Sequence, residues 1–175
     1  MADSSDSCEA LEHHVEFVER AAWLSIVEER FGIPNAAFDD YFVVRPSKHA
    51  LHLVPKGHQP PQRPAPQIIG MSFLRTRMRF PKLTTAAAMA FGGRATRNTV
   101  GLEQAQADAF LSREAFALTP EQAAACTGTG YVLARLEEVI LGVGFLAANE
   151  GPTGQLRSMF PKAWTLADDE SAFDK

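Results

Sequence analysis

Five prolines, Pro55, Pro60, Pro61, Pro64 and Pro66, fall within twelve residues. No helix interior or central strand accepts them at that density, because each lacks the N–H that a ladder or helix turn requires. The stretch is therefore expected as an extended, exposed arm, and it sets the limits of whatever is folded on either side. Before it, Tyr41 to Arg45, a Pro46-Ser47-Lys48 turn and Ala50 to Val54 have the pattern of a β-hairpin. After it, Ile68 to Arg79 alternates in part, with Phe73, Arg75, Arg77 and Arg79 spaced by two. In a strand this spacing puts them on one face, where three arginines make a phosphate-binding strip or guard an edge strand against aggregation.

The remaining elements follow from local signals. Met1 to Ser7 is small, polar and acidic, and is expected to be disordered. From Cys8 to Phe31, Leu11, Val15, Val18, Ala22, Ile26 and Val27 recur at helical spacing, with Asp6 and Glu9 placed as a capping box and Gly32 and Pro34 as the stop. Thr84 to Phe91 is an alanine-rich helix capped by Thr84 and ended by Gly92-Gly93. Asn98 to Leu102 is a strand leading into a helix over Glu103 to Arg113, and Thr119-Pro120-Glu121-Gln122 opens another helix through a capping box with a first-turn proline. Tyr131 to Leu136 and Val139 to Ala147 pair as a hairpin about Glu137-Glu138, and Gln155 to Phe160 returns as a last strand. Gly142 and Gly144 interrupt the second arm, where they permit a sharp bend or close approach of another backbone. Residues 168–175 form an acidic tail.

A net charge of -4 argues against nucleic acid only if the charge is evenly spread. Residues 1–40 hold ten Asp or Glu against Arg20 and Arg30, and residues 103–175 hold eleven against five bases. Between them, residues 41–102 contain ten basic side chains and no acidic one: Arg45, Lys48, Lys56, Arg63, Arg75, Arg77, Arg79, Lys82, Arg94 and Arg97. Such a segment attracts phosphate unless folding pairs it with the acidic flanks.

Other chemistries find no footing. Cys8 and Cys126 have no paired-ligand spacing, so no disulfide framework or zinc site is indicated. His13 and His14 are helix neighbours pointing apart, His49 and His52 lie on opposite faces of a strand, and His58 sits in the proline-rich arm, so no metal cluster is expected. Gly142-Val143-Gly144 imitates a dinucleotide fingerprint, but Asn149, Gly151 and Pro152 follow where a helix should hold the pyrophosphate. There is no phosphate loop and no nucleophile elbow, so no catalytic constellation and no cofactor is expected. No apolar run is long enough for a membrane span and the N-terminus is acidic, which predicts a cytoplasmic protein.

The last third carries a recognisable pattern: Gly130-Tyr131-Val132-Leu133, then Leu141-Gly142-Val143-Gly144-Phe145, then Gly154 to Lys162 with Leu156-Arg157-Ser158-Met159-Phe160-Pro161-Lys162. It resembles the C-terminal RNA-binding region of the Nop/Sun/Fmu family of RNA cytosine-5 methyltransferases, in which a PUA-like β-barrel follows a smaller domain. Arg30-Phe31-Gly32-Ile33 and Phe91 to Asn98 also resemble the region before that barrel. The long S-adenosylmethionine domain of that family and its cysteine-bearing motifs have no counterpart in this chain, and Ala163-Trp164 stands where the family usually has glycine. The resemblance implies an α+β chain with an N-terminal α/β domain over residues 8–95 and a PUA-like barrel over residues 96–167. It further implies a standalone, non-enzymatic accessory protein that binds structured rRNA or tRNA in RNA modification or ribosome biogenesis. The candidate RNA-binding residues are Arg75, Arg77, Arg79, Lys82, Arg94, Arg97, Gly142, Gly144, Arg157 and Lys162. Phe73 and Phe80 either stack on an unpaired base or fill the core. The competing expectation is an interaction subunit whose N-terminal helix or proline-rich arm docks on a methyltransferase or ribosomal protein.

Overall fold

The computed structural model describes residues 15–59, 61, 63, 64 and 66–165. Its first element is a short strand, β1 (Glu16–Phe17), in the middle of the expected helix. Val15 and Phe17 are spaced by two and pack on the buried cluster Val44, Val54 and Ile69, so a sheet face claims them before a helix can. Phe17 meets Phe42 edge-on, with ring centroids 5.4 Å apart. The helix α1 begins only at Arg20 and runs Arg20–Phe31, burying Leu24, Val27 and Phe31. The Asp6–Glu9 capping box, residues 8–14 of the expected helix with Cys8, His13 and His14, and both charged or polar termini, residues 1–7 and 168–175, lie outside the described residues.

Gly32 ends α1 as anticipated, at φ 66, with its N–H donating to the Glu28 carbonyl at 2.7 Å. A 3₁₀ turn (Asn35–Phe38) leads to β2 (Tyr41–Ser47), which a two-residue turn joins to β3 (Ala50–Pro55). β4 (Met71–Arg75) and β5 (Lys82–Leu83) complete an antiparallel sheet in the order β1-β2-β3-β4-β5. One face buries Val44 and Val54, while Phe73 and Phe38 (5.2 Å) and Phe38 and Phe91 (4.7 Å) build an aromatic stack elsewhere in the core. Phe91 belongs to α2 (Thr85–Phe91), whose cap, Thr84, accepts from the Ala87 N–H and donates to the Ser72 carbonyl at 2.6 Å. That second bond ties the helix entry to β4.

The chain divides into two compact units between Arg97 and Asn98. The second contains β6 (Thr99–Gly101), α3 (Gln104–Leu111), β7 (Ala115–Ala117), α4 (Pro120–Ala124), β8 (Gly130–Leu136), β9 (Val139–Ala147) and β10 (Gln155–Ser158). Its sheet order is β6-β8-β9-β10-β7, with β6 parallel to β8 and the other pairs antiparallel. Val100, Ala107, Phe110, Val132, Ala134, Leu146 and Leu156 are fully or nearly fully buried together; each large member contributes about 1.5–3 kcal/mol by leaving water. Gln106 and Gln122, the third residues of the two helix-opening capping boxes, exchange amide hydrogen bonds at 3.2 and 2.7 Å and so join the starts of α3 and α4. Asn98, buried and left-handed at φ 53, accepts at Oδ1 from the Thr127 N–H at 2.8 Å and fastens the loop before β8.

The architecture is thus mixed α/β with two five-stranded sheets. No ladder joins first to last strand in either sheet, so among the described residues the barrel expected over residues 96–167 is an open sheet. β7 escaped the sequence reading, and Cys126 follows α4 rather than lying in it, with its thiol directed at the Gln122 carbonyl 3.5 Å away.

Candidate nucleic-acid interface

The sheet of the first unit collects charge by its topology. β2 runs up to the Lys48–His49 turn and β3 runs away from it, so antiparallel β4 returns to the same end, where Arg75 stands opposite Ala50. The Thr76 N–H donates to the His49 carbonyl at 3.1 Å and closes this end. β5 starts back from it with Lys82 opposite Arg75. Residues 76–81 span that short gap, so Lys48, Arg75, Arg77, Arg79 and Lys82 all belong to one sheet end, with His49 between two of them.

This arrangement differs from the expected arginine strip. The strand stops at Arg75, and Arg77 and Arg79 lie in the bent segment beyond it rather than on a shared strand face. The physical cause is that the partner strand ends: β3 begins at Ala50, and beyond the bond from the Thr76 N–H to the His49 carbonyl the chain turns away at Lys48–His49 and offers no further ladder to residues 77–79. Lys48 and His49 were not among the candidate residues; only the register of the hairpin with β4 brings them in. Arg75, Arg77, Arg79, Lys48 and His49 are exposed. Arg79 lies over the Phe80 ring, 5.4 Å from its centroid. Phe73 is fully buried, which decides its role in favour of the core.

Among the described residues, no acidic side chain is paired with the arginines at this end. Within the basic stretch, Arg45 reaches Glu16 at 3.7 Å and Trp23 at 5.9 Å, but Arg75, Arg77, Arg79 and Arg94 form no ion pair among the described residues. Arg75 and Lys82 are direct cross-strand partners of like charge, an arrangement that costs a few tenths to about 1 kcal/mol.

The other candidates have local employment. Arg97 donates from Nη1 to the Glu29 carbonyl at 3.4 Å and Thr96 from Oγ1 to the Gly32 carbonyl at 3.3 Å, so both close the C-terminal end of α1. Arg94 is exposed at the end of the 3₁₀ turn after α2. In the second unit, Arg157 pairs with Glu150, while Lys162 is exposed at the start of a 3₁₀ turn (Lys162–Trp164). Gly142 sits beside a β-bulge, opposite Ala134, at φ 151. Gly144 is buried, and a Cβ there would lie 2.8 Å from Leu156 Cδ1, so its missing side chain makes room for the protein's own core.

Titratable groups elsewhere do not assemble. His52 is buried and donates from Nδ1 to the Ile69 carbonyl at 2.8 Å, which fixes its tautomer. Burial pushes the Tyr131 phenol above its ordinary value, and its ring rests edge-on against Phe145 at 5.3 Å. Among the described residues no group of three or more His, Cys, Asp or Glu side chains is placed to hold a metal, and no helix is long and apolar enough to cross a membrane. Compared with known proteins, the chain matches no family model and no curated sequence.

Proposed function

We propose that this protein binds structured RNA through the cationic end of its first sheet, as a non-catalytic, cytoplasmic accessory factor of rRNA or tRNA modification or of ribosome biogenesis. The observation that carries this reading is the set Arg75, Arg77 and Arg79: exposed, without acidic partners among the described residues, and placed at the sheet end that also carries the Lys48 turn, with Arg75 directly opposite Lys82. Like charges maintained at one sheet end lower stability, and a polyanion that binds there offsets the cost. Phosphate contacts of this kind position a ligand without reading its sequence. The resemblance of residues 130–162 to the Nop/Sun/Fmu RNA-binding region favours RNA over DNA. On this reading the second unit is an opened PUA-like element, and Arg94, Arg97, Arg157 and Lys162 add weaker contacts.

The test is fluorescence anisotropy with tRNA and an rRNA hairpin between about 50 and 200 mM salt. Replacing Arg75, Arg77 and Arg79 by Gln should lower affinity and reduce the slope of log K against log salt by about 2, from roughly 0.7–0.9 for each lost phosphate contact. Binding indifferent to both salt and substitution would overturn the reading. A methyltransferase or ribosomal protein retained by the chain after nuclease treatment, with no affinity for RNA, would replace it by the interaction-subunit function.

A further inference from the structure

The second unit carries an aromatic platform that nothing above employs. Trp164 is 52% exposed, although indole is costly to leave in water. It is also firmly mounted: its N–H backbone donates to the Pro161 carbonyl at 2.9 Å, its ring meets Phe160 edge-on at 5.9 Å, and Phe160 leans on buried Phe110 at 6.4 Å. Beside this stack stands Arg113, whose Nη1 donates to the Phe160 carbonyl. Arg113 occupies a left-handed position, φ 65, after α3, where the Arg113 N–H bonds Phe110 and the Glu114 N–H bonds Ala109. That is the helix-ending turn in which glycine is the unstrained residue. An arginine there accepts backbone strain, and its exposed side chain reaches the backbone of Phe160, the residue on which Trp164 rests, with guanidinium donors to spare. Lys162, exposed in the same turn as Trp164, adds a second cation.

We infer that Trp164 stacks on an unpaired nucleobase while Arg113 and Lys162 hold its flanking phosphates. This deepens the proposed function, on which it rests, by making single-stranded or looped RNA the ligand of the second unit. A duplex offers no free base face, so it lacks the stacking contribution.

The experiment uses the full chain carrying Trp23→Phe, which leaves Trp164 as the sole indole. Binding is followed by anisotropy of labelled RNA and by Trp164 emission, with a mixed-sequence single strand, the same strand in duplex, and inorganic polyphosphate. Only the single strand should quench Trp164, with the midpoint seen by anisotropy. Trp164→Ala should weaken that binding roughly tenfold and leave the duplex unaffected. Arg113→Gly separates function from structure: it relieves the left-handed strain while losing one hydrogen bond, so the melting temperature should stay nearly constant as single-strand affinity falls. Single-strand binding without any change in Trp164 emission would overturn the inference and leave RNA binding standing, as would equal quenching by duplex. No binding of any RNA at low salt would remove both. A protein partner lost from Trp164→Ala after nuclease treatment would reassign the platform to protein docking.

Discussion

Arg75→Glu tests the sheet end through stability and binding in opposite directions. Arg75 and Lys82 face each other across β4 and β5. A like pair in that position costs, and an opposite pair gains, roughly 0.2–1 kcal/mol. Arg75 is exposed, and solvent screening keeps the exchange toward the low end, at about 0.5 kcal/mol in total. The first unit ends at Arg97. A domain of that size shifts by roughly 4–8 °C per kcal/mol, so its melting temperature should rise by about 2–4 °C. Circular dichroism melts at low salt should show the rise, Arg75→Gln should give about half of it, and 1 M salt should erase it. RNA affinity should fall in the same order, Gln then Glu. A melting temperature unchanged or lowered at low salt means that the two cations do not repel, and the structural reasoning fails. A raised melting temperature with unaltered RNA binding means that this end holds no phosphate.

Two further substitutions probe the turns that set the frame. Gly32→Ala places a side chain at φ 66 with its Cβ in collision with Thr96 Oγ1. The left-handed strain of about 1–2 kcal/mol, together with the displaced Thr96 bond, should cost about 2–3 kcal/mol by urea denaturation. A loss below about 0.5 kcal/mol would contradict this geometry. At Asn98, buried at φ 53 and bonded to the Thr127 N–H, alanine keeps the strain and orphans the Thr127 donor, while glycine relieves the strain alone. Asn98→Ala should therefore cost about 2–4 kcal/mol and Asn98→Gly about 1 kcal/mol less. The reverse order would show that φ 53 carries no strain, and a cost near zero in both variants would show that the side-chain bond does not hold the loop.

How much of this was legible in the sequence depends on the range of the signal. The Gly32 stop, the Thr84 cap, the Thr119–Gln122 capping box and the hairpin about Glu137 are set by residues a few positions apart, and each is found where local chemistry predicts it. The expected helix over Cys8–Phe31 failed at Val15–Phe17, where apolar spacing satisfies both a strand and a helix, and a tertiary cluster with Val44, Val54 and Ile69 decides the matter. β7 has only three residues, Ala115–Ala117, and owes its existence to pairing with β10, more than thirty-five residues away. Openness of the second sheet is likewise a property of strand order, which residue spacing does not encode.

The charged end shows why a site can be half visible. Absence of acid from residues 41–102 is a one-dimensional fact, and Lys48, Arg75, Arg77, Arg79 and Lys82 from that stretch fall at one sheet end. A period of two then suggested that Arg75, Arg77 and Arg79 share a strand face, yet β4 ends at Arg75 because its partner β3 begins opposite it, at Ala50, after the Lys48–His49 turn. The arginines are gathered instead because the turn between β2 and β3 and the link between β4 and β5 fall at the same end of one meander. That placement has a physical consequence for binding. On the proposed function, exposed cations in short links at a sheet tip can follow the irregular phosphate spacing of a folded RNA. A flat strip on a strand face would match only a regular backbone. An end of this kind should therefore favour structured RNA broadly and discriminate little by sequence, leaving selection to groups that touch bases.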